Sequence, residues 1–130
     1  MKYHAIGENH LFAKTYAKGK RCGTRTVTLH VLADRHAFLL KKARPDKKEI
    51  NRIGLTVGKK IGKAVVRSRT RRLLREAYRK IDREYGIQTG NLIVLVAREE
   101  IVGKKTQDVE RDLLFAMKKL GLLKSVTKAG

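Results

Sequence analysis

Residues 54–86 read GLTVGKKIGKAVVRSRTRRLLREAYRKIDREYG and predict a strand, a glycine-rich turn and a long helix in succession. The apolar start of this segment is interrupted at Gly58 and Gly62, where the backbone can turn sharply. An amphipathic pattern then runs from about residue 63 to residue 85 and ends at Gly86, a typical helix terminator. Because another apolar strand follows the helix, the segment indicates a parallel crossover within one sheet.

The long helix is predicted to have one apolar face and one basic face. At about 100° per residue, an arc of roughly 120° collects the core side chains Val66, Thr70, Leu73, Leu74, Ala77 and Ile81. Between residues 59 and 83 there are eleven basic residues and two acidic ones. Like charges repeat one turn apart at Arg67, Arg71, Arg75 and Arg79. Such spacing destabilises an isolated helix, so it favours a phosphate-binding surface over a merely solvated one.

The rest of the chain predicts shorter elements in the order αβββαβα, an α+β fold of the α/β sandwich type. We expect a first helix over residues 9–19 and a strand over residues 23–32, with residues 36–40 as its hairpin partner. Another strand is expected over residues 52–57, before the long helix. After that helix come the strand Asn91–Ala97 and a final helix over residues 106–121. We expect a single domain over residues 1–130, with about residues 121–130 as a frayed tail.

Composition points to a polyanionic partner. The chain has 130 residues, and its 32 Lys and Arg against 12 Asp and Glu give a formal charge of +20. With 42% hydrophobic residues it can still form a core. A nucleic acid or an anionic membrane would neutralise this charge. The apolar side of the long helix lacks Trp and Phe, so nucleic acid is favoured over a membrane surface.

Several classes of protein are not favoured. Cys22 is the only cysteine, which excludes an intramolecular disulfide and a thiolate zinc site. We predict no metal site and no catalytic residue, because no carboxylate or cysteine accompanies His4, His10, His30 and His36. A stand-alone metal-dependent nuclease would need clustered carboxylates, whereas the sequence disperses Asp34, Asp46 and Glu49. Neither a signal peptide nor a membrane span is recognisable, so the cytoplasm is the expected compartment.

Residues 54–79 resemble the signature of the bacterial ribonuclease P protein component. In that family a Gly-Lys-x-x-Gly-x-Ala-Val loop enters an Arg-Asn-Arg-x-x-Arg-x-x-Arg-Glu helix, and the matching positions here are Gly62, Ala64, Val65, Arg67, Arg69, Arg72, Arg75 and Glu76. The resemblance extends to the first helix through Phe12, Tyr16 and Gly19, and to the order of elements. Ser68 departs from the family's Asn, because its hydroxyl can still donate and accept but lacks the reach and bidentate geometry of the amide.

The resemblance implies a ribosomal-type α/β sandwich, like the second domain of a ribosomal protein, with an uncommon left-handed βαβ crossover. It also implies a role as the auxiliary protein subunit of a ribonucleoprotein endonuclease that removes the 5′ leader from precursor tRNA. The implied partners are ribonuclease P RNA and the leader, and no protein partner is expected. The hydrolysis would depend on Mg²⁺ bound mainly by the catalytic RNA, with no cofactor intrinsic to the protein. The alternative is a structural ribosomal-type RNA-binding protein.

Two sets of residues are the candidates for RNA contact. The basic loop and helix would bind the catalytic RNA through Lys59, Lys60, Lys63, Arg67, Ser68, Arg69, Arg71, Arg72 and Arg75. The 5′ leader would lie in a cleft formed by Phe12, Tyr16, Thr26, Thr28 and His30. The two aromatic rings lie one helical turn apart and could stack on unpaired bases, although a core position fits them too. A polar strand face without any ligand would show the same alternation as the three strand residues.

Overall fold

The computed structural model describes residues 3–6, 9–34 and 51–125, which form five strands and three α-helices. In chain order these are β1 Tyr3–Ala5, α1 Asn9–Lys18, β2 Lys20–Gly23, β3 Val27–Ala33, β4 Asn51–Thr56, α2 Ala64–Glu84, β5 Asn91–Ala97 and α3 Thr106–Lys119. Two short 3₁₀ helices precede α2 and α3, at Lys59–Ile61 and Glu99–Ile101. The predicted long helix is therefore confirmed to within one residue at each end.

The strands form one sheet in the order β1-β4-β5-β3-β2. β4 runs parallel to both β1 and β5, whereas β3 runs antiparallel to both β5 and β2. Because α2 connects the adjacent parallel strands β4 and β5, the predicted crossover is confirmed. Its left-handedness stays a prediction.

Helices cover both faces of the sheet, as expected for an α/β sandwich. On one face α2 and α3 pack against alternate strand residues such as Leu29 and Leu95, which are fully buried. On the other face α1 packs against a smaller cluster that includes Leu92 and Val94. No helix in the described ranges is long and apolar enough to cross a membrane.

The predicted order αβββαβα is confirmed, but two details of the sheet differ from expectation. The strand expected over residues 23–32 is divided, because Thr24 turns the chain by accepting and donating hydrogen bonds with Val27. β2 on one side of this turn pairs with β3 on the other, and β1 adds a strand before α1. The predicted hairpin partner over residues 36–40 lies outside the described residues.

The expected frayed tail is wrong over residues 121–125. Leu122 and Leu123 are buried in the main core, and the N–H of Gln88 donates to the carbonyl of Leu122 at 2.7 Å. The N–H of Lys124 donates to the carbonyl of Gly86 at 2.9 Å. The apolar side chains gain burial by returning to the end of α2, which outweighs the entropy of a free terminus.

Candidate RNA-binding surfaces

Helix α2 presents most of its arginines to the surface. Its core side is formed by Thr70, Leu74, Ala77, Tyr78 and Ile81, of which Tyr78 was not predicted. The exposed side carries Ser68, Arg69, Arg72, Arg75 and Arg79. Arg67 and Arg71 are only half-exposed, because they lie on the flank next to Tyr78 rather than on the outer face. The expected single stripe is therefore divided between an outer face and this flank.

The arginine side chains of α2 have no partners within the described part of the protein. No side-chain hydrogen bond and no ion pair is formed there by Arg67, Arg69, Arg71, Arg72, Arg75, Arg79 or Arg83. The Nε of Arg67 is even buried without an acceptor. By contrast, Lys80 on the same helix pairs with Glu110 at 3.1 Å. Guanidinium groups carry five donors each, so this helix offers a large unused donor capacity to an anionic ligand.

The loop before α2 adds exposed lysines to the same end of the helix. Lys59, Lys60 and Lys63 are exposed, while Ile61 between them is buried and anchors the loop. Gly62 has a φ of 146°, a backbone conformation that side chains disfavour, so this turn requires glycine. The first turn of α2 contains no acidic residue. Its free backbone N–H groups and the lysines together attract phosphate.

Tyr16 on α1 is brought together with His30 on β3 and Thr56 on β4. The hydroxyl groups of Tyr16 and Thr56 are hydrogen-bonded at 2.7 Å. The rings of Tyr16 and His30 meet edge to face, with centroids 4.8 Å apart. Since Tyr16 is still 41% exposed, its ring is held in place and yet accessible to a base. Thr56 was not predicted from the sequence, although it lies two residues after Gly54 in β4 and therefore on the same, α1 side of the sheet.

Phe12 is half-buried. Its ring packs directly on Gly54, which has no side chain to obstruct it, and against the smaller core cluster. The ring also lines a cavity of about 260 Å³ together with Arg71, Arg75 and Tyr78. This cavity joins the two predicted sets of residues, because one wall belongs to α1 and the other to the arginine helix.

Two of the predicted cleft residues are buried. Thr26 is 1% exposed, because its hydroxyl and its N–H both donate to Asp112 on α3, at 2.7 and 3.1 Å. Thr26 therefore ties the turn between β2 and β3 to α3 and is not part of the cleft floor. Thr28 follows the predicted alternation onto the α1 side but is only 6% exposed. Of the three predicted strand residues, His30 alone contacts the ring of Tyr16.

A second cavity of about 480 Å³ lies where the parallel strands β4 and β5 end. It extends from Thr56 to Lys60 on one side and to Arg98 on the other. Arg98, which was not predicted, donates to the carbonyl of Thr24 at 2.9 Å. Its signal in the sequence is its position directly after an apolar strand, at the edge where open parallel sheets commonly bind ligands.

His30 has a lowered pKa, because burial disfavours its charged form and Arg21 repels it. The folded protein therefore binds fewer protons at this site than the unfolded chain, whose pKa is near 6.5. The contribution of His30 to the free energy of unfolding is complete above pH 6.5 and decreases as the pH falls through this value.

We expect His30→Gln to lose less stability than the wild type between about pH 7.5 and about pH 5.5 in urea denaturation. Equal losses would contradict this, and the exposed His10→Gln is the control.

The described residues do not bring together three His, Cys, Asp or Glu side chains that could hold a metal ion. Asp34 is 3% exposed and accepts two hydrogen bonds from Arg52, at 2.6 and 2.8 Å, so it is held in an ion pair. Asp46 and Glu49 lie outside the described residues. Cys22 is a buried residue of β2.

Comparison with known proteins identifies the family. A family model described as Ribonuclease P matches residues 1–121. The chain belongs to the ribonuclease P protein family. The ribonuclease P protein component of Clostridium acetobutylicum is 37% identical over 123 residues, which cover 95% of this chain and 93% of that protein. The component of a Thermoanaerobacter species is 39% identical over 97 residues, covering 75% of this chain and 72% of that protein.

Solved structures of ribonuclease P proteins share the fold. The Staphylococcus aureus protein aligns with a TM-score of 0.73 at 21% identity, covering 95% of this chain and all of that one. The Thermotoga maritima protein aligns with a TM-score of 0.62 at 22% identity, covering 80% of this chain and 86% of that one. The α+β architecture described above is therefore that of the ribonuclease P protein family.

Proposed function

We propose that this chain is the protein subunit of a ribonuclease P ribonucleoprotein, which removes the 5′ leader from precursor tRNA in the cytoplasm. The observation that carries the proposal is the set of unpaired arginines on α2, in a chain of this family. Arginines without acceptors inside the protein are suited to phosphate oxygens outside it. The outer face and the lysine loop would bind ribonuclease P RNA, through Lys59, Lys60, Lys63, Arg69, Arg72 and Arg75 and the hydroxyl of Ser68.

The leader would bind beside α1. Tyr16 offers an accessible ring, and the cavity between Phe12 and the flank of α2 supplies Arg71 for the leader backbone. Stacking is tolerant of sequence because every base has a π-face, which suits a subunit that processes many precursors. The protein would thus hold the single strand, while its outer face binds the catalytic RNA.

The chemistry of the cleavage is assigned to the RNA. Mg²⁺ bound by the RNA would activate water and stabilise the leaving oxygen of the phosphodiester. The protein contributes positive charge, which lowers the repulsion between the catalytic RNA and the leader. A subunit of this kind is expected to matter most when Mg²⁺ is scarce.

The decisive experiment is cleavage of a precursor tRNA by a bacterial ribonuclease P RNA at limiting Mg²⁺, with and without the protein. We expect the protein to restore release of the intact 5′ leader and to show no cleavage alone. Failure to restore cleavage with a cognate RNA would favour a structural ribosomal-type role. Cleavage by the protein alone, in a nuclease-free preparation, would show that the protein carries an active site.

Tyr16→Ala should weaken binding of leader-bearing precursor tRNA to the holoenzyme about tenfold, the effect of one stacked base. Binding of mature tRNA should not change, because it lacks the leader. Tyr16→Phe is the matched control, since it retains the ring and loses only the hydrogen bond to Thr56. Equal losses for both RNAs would rule out a role specific to the leader.

A further inference from the structure

The outward face of α3 carries an exposed aromatic ring among cations. Phe115 is 56% exposed, although the opposite side of the same helix buries Val109, Leu113, Ala116 and Met117 in the core. Residues three and four positions away are neighbours on a helix surface. Three of these four neighbours of Phe115 are basic, namely Arg111, Lys118 and Lys119.

The acidic side chains nearby already have partners. Asp112, the fourth helical neighbour of Phe115, accepts both hydrogen bonds from Thr26. Glu110 is paired with Lys80, and Asp108 accepts from the N–H of Lys105 and lies 3.5 Å from Arg111. Within the described ranges, no carboxylate pairs with the two lysines that flank Phe115, Lys118 and Lys119.

These two lysines lie near aromatic rings. The Nζ of Lys118 is 5.7 Å from the ring centroid of Tyr85, at the end of α2, and the Nζ of Lys119 is 5.9 Å from that of Phe115. Both distances are within the range of a cation–π contact. Two aromatic rings and three cations thus form one surface patch, which we call the α3 patch: Tyr85, Arg111, Phe115, Lys118 and Lys119.

We propose that the α3 patch is a second RNA-binding surface, which takes an unpaired nucleotide of the catalytic RNA with its base on Phe115 and its flanking phosphates on the lysines. A single exposed apolar residue needs no explanation, but an exposed ring flanked by two lysines without a carboxylate partner has the two components of single-strand recognition. A polyanion is the complementary occupant for this charge. The patch is separate from the leader cleft, because α3 and Tyr16 lie on opposite faces of the sheet.

The proposal rests on the proposed function for its probe, which is ribonuclease P RNA. Phe115→Ala should weaken binding of this RNA about tenfold, the size of one lost stacking contact. Phe115→Leu should lose nearly as much, since it keeps an apolar side chain without the flat ring. Val102→Ala is the matched control, because Val102 is similarly exposed, at 50%, and lies outside the patch. An affinity of Phe115→Ala equal to that of Val102→Ala would overturn the proposal, as would full retention by Phe115→Leu.

The role of Lys118 and Lys119 is tested by the salt dependence of RNA binding. Changing Lys118 and Lys119 together to Gln should flatten the plot of log K against log salt by about 1.5, the equivalent of two lost phosphate contacts. An unchanged slope would remove them from the interface. Leader release by the wild-type holoenzyme, measured in parallel, distinguishes failure of the α3 patch from failure of the proposed function. Normal wild-type activity with unaffected variants overturns the α3 patch alone, whereas an inactive wild type with a cognate RNA overturns the proposed function.

Discussion

Replacing Arg72 and Arg75 together by alanine is expected to weaken binding of ribonuclease P RNA about 100-fold, or about 2.7 kcal/mol. Both side chains are exposed on α2, and neither has a hydrogen-bond or ion-pair partner in the described part of the chain. Their donors would therefore be used only by the RNA, at about 1.4 kcal/mol for each charge-assisted contact. The slope of log K against log salt should flatten by up to about 1 for each arginine.

The measurement is a filter-binding or fluorescence titration at several salt concentrations. Arg83→Ala is the matched control, since Arg83 lies in the last turn of α2 and outside the predicted RNA contacts. Arg83→Ala should weaken RNA binding by less than about threefold, or about 0.7 kcal/mol. The free energy of unfolding of the double variant should remain within about 0.5 kcal/mol of the wild type, because no internal contact is removed. An unchanged salt slope would remove both arginines from the interface.

Gly19→Ala is expected to lower the free energy of unfolding by about 3 kcal/mol, at the upper end of the cost of forcing atoms into a packed site. Gly19 ends α1 and lies against β3. A Cβ atom there would be 2.5 Å from the carbonyl oxygen of Thr15 and 2.7 Å from that of Val31. Both are backbone atoms, one in α1 and one in β3, so relief requires the last turn of α1 to change its conformation and to shift away from the sheet. Such a shift would also move Tyr16, so the variant should bind the leader more weakly as well as being less stable.

Urea denaturation followed by circular dichroism provides the measurement. Gly58→Ala is the matched control, because an added Cβ there meets nothing within 4 Å and the φ of Gly58 is an ordinary −77°. This control should leave stability unchanged or raise it by about 0.5 kcal/mol, since alanine restricts the unfolded chain. If both variants were equally stable, α1 would not be held against β3 as closely as the structure shows.

The long helix could be predicted from the sequence because its pattern is local. Its apolar period, the glycines on either side and the excess of arginine all lie within about 30 consecutive residues, and none depends on a distant partner. The parallel crossover could be predicted from the sequence for the same reason. The resemblance to the ribonuclease P family rests on this segment too, and the family match over residues 1–121 confirms it.

Contacts between distant segments decided the rest of the candidate site. Thr26 has the polarity of an exposed strand residue, and only Asp112, 86 positions later, removes it from the surface. Phe12 and Tyr16 are alike in the sequence, yet one packs on Gly54 and the other bonds to Thr56. The burial of Leu122 likewise depends on the end of α2.

The sequence alone was sufficient for the fold class, the family and the basic helix, because periodicity, charge and a contiguous motif are properties of neighbouring residues. Tertiary structure was needed to show which arginines face the cavity beside Phe12, which polar residues stay accessible, and where Phe115 meets its cations. These properties depend on the burial of each side chain and on its hydrogen-bond partners. Both are determined only when segments distant in the chain pack together.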